Sequence, residues 1–244
     1  MSDKFLGSIG FNFPENEDEL ENFGRVFKDY ELKSDVNKID PHKIFETPKK
    51  STQPKKPTNV DYHKRMVLAA EIVYQLHNEY TLGHLKLQKL IYLCNHINNM
   101  SLHVSFLKQA MGPYDNRLRR SIEKKFKDNK WFEFTPDDFP LFKPLENVGG
   151  HKEWYDRYYG EISDKISWII ELFRKEKSDN VELVATIYAC WLEALENREL
   201  ITDKLIIYKV NNWSEAKRGK FTDNQIIGKR AWMLDNDLVP FVRV

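Results

Sequence analysis

Asp115 and Glu123, followed by Lys124 and Lys125, stand in the order of a metal-dependent nuclease site. Such a site needs carboxylates that converge on a divalent cation and a lysine beside the attacking water. Helical periodicity puts all four residues on one helix, and at 1.5 Å per residue the two carboxylates are about 12 Å apart. One ion cannot bridge that span. His77, His84, His96 and His103 lack the four-residue spacing with an intervening glutamate that a helical zinc site uses. Cys94 and His96 fall on different faces of one helix. The chain has no glycine-rich phosphate loop, nucleophile elbow or paired Cys-x-x-Cys. The expectation is a protein that is not an enzyme, with no metal and no cofactor.

A second kind of chemistry is electrostatic. Arg117, Arg119, Arg120, Lys124, Lys125 and Lys127 are answered between 117 and 127 by Glu123 alone. Cations on the outer face of a helix, with aromatic residues just after, are able to contact phosphates. The same face is able to meet an acidic protein. Arg117, Arg119, Arg120, Lys124 and Lys125 are therefore candidate nucleic-acid contacts.

The whole chain is not basic. Its 244 residues carry 38 lysines and arginines against 37 aspartates and glutamates, a formal net charge of +1, which excludes attraction of nucleic acid by the molecule as a whole. A hydrophobic share of 41% marks a globular chain. Two cysteines make no disulfide framework, and no basic start leads into an apolar run. No stretch reaches the roughly 18 apolar residues of a membrane helix. A cytoplasmic, soluble protein is expected.

The elements read as mainly α, in four parts. Residues 1–46 form an N-terminal arm, with Ile9, Phe11 and Phe13 alternating as in a strand and a short helix over 17–30. Residues 47–60, with three prolines and four lysines, form a linker. Residues 61–150 form a helical core. Its first helix carries Tyr62, Met66, Ala69, Val73, Leu76 and Tyr80 as a stripe; its second carries Leu87, Leu90, Ile91, Cys94 and Ile97, with Lys86 and Lys89 off that face. Asp115 or Asn116 caps the basic helix, which turns Leu118, Ile122 and Phe126 inward. A small β-wing begins at Trp131–Phe134 and closes at Gly149-Gly150. In residues 151–244 the spacing predicts one long helix from Trp154 to about Lys177 and another over 181–195. Two shorter helices follow, capped at Thr202 and at Thr222 with Gln225, and then a closing strand over 239–244. That end reads as a winged-helix-like or small helical module.

Leu85-Lys86-Leu87-Gln88-Lys89-Leu90-Ile91-Tyr92 resembles the opening motif of the Panacea domain family, the SocA-like antitoxins. Ala110-Met111-Gly112-Pro113-Tyr114 matches that family's second segment at about the right spacing, with Met111 in place of the usual aromatic. The resemblance covers roughly residues 61–135. Gly112 to Arg117 and Lys130-Trp131-Phe132 look closer to a subgroup found on type I restriction specificity subunits or in phage-defence proteins. The resemblance implies a non-enzymatic protein-interaction module that sequesters a protein partner, a toxin or a defence-system component. The residues it points to are Lys86, Gln88, Lys89 and Tyr92 in the first motif and Gly112, Pro113, Tyr114 and Asn116 in the second. Gln88, Tyr92 and Asn116 have a competing reading, as a buried polar network joining the two motifs. The alternative function is a DNA-binding regulator or restriction-modification accessory that uses the basic helix over 116–128 and the C-terminal module.

Overall fold

The computed structural model describes residues 58–242, apart from 101, 105 and 137. The chain divides into two units, Met1–Lys55 and Lys56–Val244. The arm expected over 1–46 and most of the linker lie outside the described residues.

The linker ends earlier than its composition suggests. Thr58 is the N-cap of α1 (Asn59–Leu76): its hydroxyl accepts from the Asp61 backbone N–H, and the Asp61 carboxylate accepts from the Thr58 N–H. This reciprocal capping box satisfies two donors that a helix start otherwise leaves open. The helix stops at Leu76, so Tyr80 stands exposed instead of continuing the stripe. Most of the middle of α1 is buried, Val67, Leu68, Ala70 and Ile72 as well as the expected face, so α1 is a central helix. In α2 (His84–Ile97), every residue from Lys86 to Cys94 is buried, which corrects the one-sided reading of this helix.

Residues 107–114 form a hairpin inside the region expected to be helical. β1 (Leu107–Gln109) pairs antiparallel with β2 (Gly112–Tyr114) across the tip Ala110-Met111. Asp115 then caps α3 (Asn116–Asp128), its Oδ1 accepting from Arg117 N–H at 2.8 Å and Leu118 N–H at 3.1 Å. Leu118, Ile122 and Phe126 face the core, as their spacing predicts. The β-wing consists of β3 (Phe132–Phe134) paired antiparallel with β4 (Phe142–Pro144).

The long helix expected from Trp154 is two helices, α4 (Lys152–Tyr159) and α5 (Ser163–Leu172), joined by a 3-10 turn over Gly160–Ile162. Glycine is a poor interior helix residue, and the Ser163 hydroxyl bonds the Gly160 carbonyl at 2.9 Å, a local alternative to the helical ladder. The break lets Tyr155 and Tyr159 face the core from α4, and Ile166, Ile169 and Ile170 face it from α5.

α6 (Ser178–Glu196) is the second central helix, buried without interruption from Val181 to Tyr188. It packs on α2, on β2, and on both α7 (Asp203–Asn211) and α8 (Asp223–Asp235). Thr202 caps α7, and Thr222 with Gln225 forms the capping box of α8. Residues 239–242 form no strand, so the C-terminal part is a helical module with no wing among the described residues. Because α6 completes the core that α2 begins, residue 150 is not a boundary between compact units. The architecture is mainly helical with two small antiparallel sheets. Among the described residues no helix is long and apolar enough to cross a membrane.

Candidate functional site

α2 presents its polar residues inward. Lys86 and Lys89 are 0% exposed and Gln88 is 1% exposed. The Lys86 amine donates to Thr81 Oγ1 at 2.5 Å, Arg174 O at 2.8 Å and Glu176 O at 3.0 Å, which uses all three of its N–H groups. It thereby ties the start of α2 to the carbonyls beyond the end of α5. Burial pulls this amine down to about 8.

Gln88 and Lys89 join the two sequence motifs. The Gln88 side-chain amide donates to Asp115 O at 3.0 Å and accepts from Asp115 N–H at 2.8 Å, pairing with the backbone as a neighbouring strand would. The Lys89 amine donates to Pro113 O and lies 5.5 Å from the centre of the Tyr114 ring. Gly112 has φ +84°, and a Cβ there would stand 2.7 Å from Thr186 Oγ1 and 3.4 Å from the Lys89 amine. Only glycine fits that approach without strain. Tyr92 is buried among Phe106, His96 and Tyr188.

Lys86, Gln88, Lys89 and Tyr92 are thus bonded and packed within the chain instead of facing outward for a partner. Gly112 and Pro113 are buried, Tyr114 is half-buried, and Asn116 is exposed. The structure brings the two motifs together through Gln88 and Lys89. It does not bring Tyr92 or Asn116 into that polar contact.

Behind Lys89 lies a second buried ionic group. Glu182 Oε1 on α6 accepts from Lys217, which is fully buried, and from Lys220 at 2.9 Å; Lys220 also reaches Asp179 at 3.1 Å. Burial, and then the charge of Lys217, pull the Lys89 amine down to about 7, with Glu182 opposing them. Trp213 Nε1 donates to Gln109 O at 2.8 Å, fastening the hairpin from the C-terminal side.

Two open clefts of about 280 and 310 Å³ indent the surface. Neither is lined by a motif residue. Among the described residues, no three His, Cys, Asp or Glu side chains gather as metal ligands do. Asp115 is committed to its cap, and Glu123 Oε1 accepts from Arg119 at 2.9 Å, with His84 at the same distance. The basic face of α3 survives largely unneutralised. Arg119 is paired with Glu123 and Lys127 with Glu133, each at 2.9 Å, whereas Arg117, Arg120, Lys124 and Lys125 have no carboxylate partner among the described residues.

A buried pair on α1 escaped sequence reading. Glu71 accepts from His151 at 2.9 Å, Lys152 at 2.8 Å and Gln75 at 2.7 Å. Burial alone would raise its pKa, but these bonds hold the carboxyl at about 2. The signal available was Glu71 inside an apolar run, a charge that needs a partner.

Comparison with protein-family models, curated proteins and solved structures finds no match to this chain.

Proposed function

We propose that the chain is a non-enzymatic protein-interaction module of Panacea-like, antitoxin-like or defence-associated type, which sequesters a partner protein. The observation that carries this reading is the burial of Gln88 and Lys89 to bond the backbone at Asp115 and Pro113. Burying an amine costs free energy unless its bonds compensate, so these side chains are strong restraints on where the hairpin sits. The hairpin in turn exposes two apolar side chains, Leu107 (60%) on β1 and Met111 (43%) at its tip. In this reading the motif residues aim the hairpin, and the hairpin touches the partner.

Co-purification from the native host, with this chain as bait, tests it. A protein recovered in stoichiometric amount, toxic when expressed alone and silent when co-expressed, is the outcome the reading predicts. Recovery of restriction-modification subunits, or of nucleic acid without protein, contradicts it. The second reading, a nucleic-acid-binding accessory, is favoured by the four unpaired cations of α3. It requires affinity that falls steeply between about 50 and about 200 mM salt.

A further inference from the structure

The cationic face of α3 does not end at that helix. α1 packs against both α3 and α4, and its first turns carry His63 and Lys64. The His63 ring meets the Trp154 ring edge-on, with centroids 5.0 Å apart, and its Nδ1 stands 3.1 Å from the Tyr158 hydroxyl. Arg157 lies 5.5 Å from the centre of the Trp154 ring, and Lys64 lies 5.6 Å from that of Tyr158. Trp154, Arg157 and Tyr158 share one face of α4 by their spacing of three and four. The acids of that helix, Glu153 and Asp156, fall about 100° and about 160° from Trp154 around the helix. Lys125 on α3 is near enough for its charge to oppose protonation of His63, adding to the effect of burial. Because α1 packs against both α3 and α4, the aromatic group and the basic helix are neighbours.

Trp154 keeps 39% of its surface exposed. An exposed indole flanked by an arginine and a tyrosine, with a lysine over the tyrosine ring, has the make-up of a stacking platform beside cations. That combination suits unpaired nucleotides, whose bases offer a π-face to any aromatic ring while the backbone follows the cations. A duplex keeps its bases stacked on one another and would use the cations alone. We propose that the surface formed by Trp154, Tyr158, Lys64 and Arg157, continued by Arg120, Lys124 and Lys125, binds single-stranded nucleic acid. The inference rests on the second reading above and narrows it to an unpaired strand.

Fluorescence anisotropy of the full chain, with a labelled thymidine oligonucleotide and with a labelled duplex, tests it. The strand binds more tightly than the duplex, and Trp154→Ala weakens the strand about tenfold while leaving duplex affinity unchanged. Trp154→Phe restores most of that loss. Arg120→Glu/Lys124→Glu weakens both ligands and lowers the salt dependence. Tyr158→Ala gives the same strand-selective comparison at the neighbouring ring, should Trp154→Ala perturb folding. Equal affinity for strand and duplex, untouched by changes at 154 and 158 but abolished at 120 and 124, overturns the inference and leaves the second reading standing. Absence of binding to either ligand at low salt overturns both.

Discussion

At the scale of single residues, the motif lysines and glutamine act as internal fasteners. Their side chains were legible as a motif, but their direction was not. A helix that is buried on several sides has no solvent face to which Lys86 and Lys89 are assigned by periodicity. Gly112 is the residue where this packing is least forgiving. Gly112→Ala should cost about 2–4 kcal/mol, combining a strained positive φ with a close contact at Thr186 Oγ1. Thr186→Ala in that background should recover the steric part and leave the backbone part, which denaturant titration of the two variants would measure. Glu71 makes a pH prediction. Its folded-state pKa of about 2 lies below the ordinary 4.5, so its contribution is complete above about pH 4.5 and is lost as pH falls toward 2. The loss is on the order of 3 kcal/mol, and Glu71→Gln should flatten the acid limb of a stability–pH curve.

At the scale of elements, capping signals were the most readable. Thr202, Thr222 with Gln225 and Asp115 all sit where their types place helix starts, because a short acceptor side chain meets the open N–H groups of a first turn. Thr58 has the same chemistry, but its proline- and lysine-rich neighbourhood concealed it. Asp115→Ala should cost about 1 kcal/mol and fray the first turn of α3, seen as faster amide exchange at Arg117 and Leu118. The hairpin was illegible because its strands are three residues long and show no alternation, and its register depends on Lys89, Gln88 and Trp213 reaching it from elsewhere. The break at Gly160 was legible as a glycine but was outweighed by the apolar pattern on either side.

At the scale of the molecule, α6 decides the organisation. It packs on α2, receives β2 against its side and supports α7 and α8, so the motif region and the C-terminal helices share one core. No local sequence pattern reveals that sharing, since it depends on which buried faces meet. The arrangement has a functional consequence: the hairpin is held from α2 by Gln88 and Lys89, and by Trp213 from the segment after α7. A loop fixed from both sides loses little conformational entropy when a partner binds, which favours tight sequestration. Under the two proposals, partner contact falls on the hairpin and nucleic-acid contact on the surface of α1, α3 and α4. The decisive measurement is the affinity of the co-purified partner for three forms of the full chain: unaltered, Leu107→Asp/Met111→Asp, and Arg120→Glu/Lys124→Glu. The hairpin change should weaken binding about a hundredfold, as the loss of two central apolar contacts would, while the α3 change leaves it within a few-fold. A hairpin variant that folds and binds the partner as tightly as the unaltered chain would contradict partner contact on the hairpin.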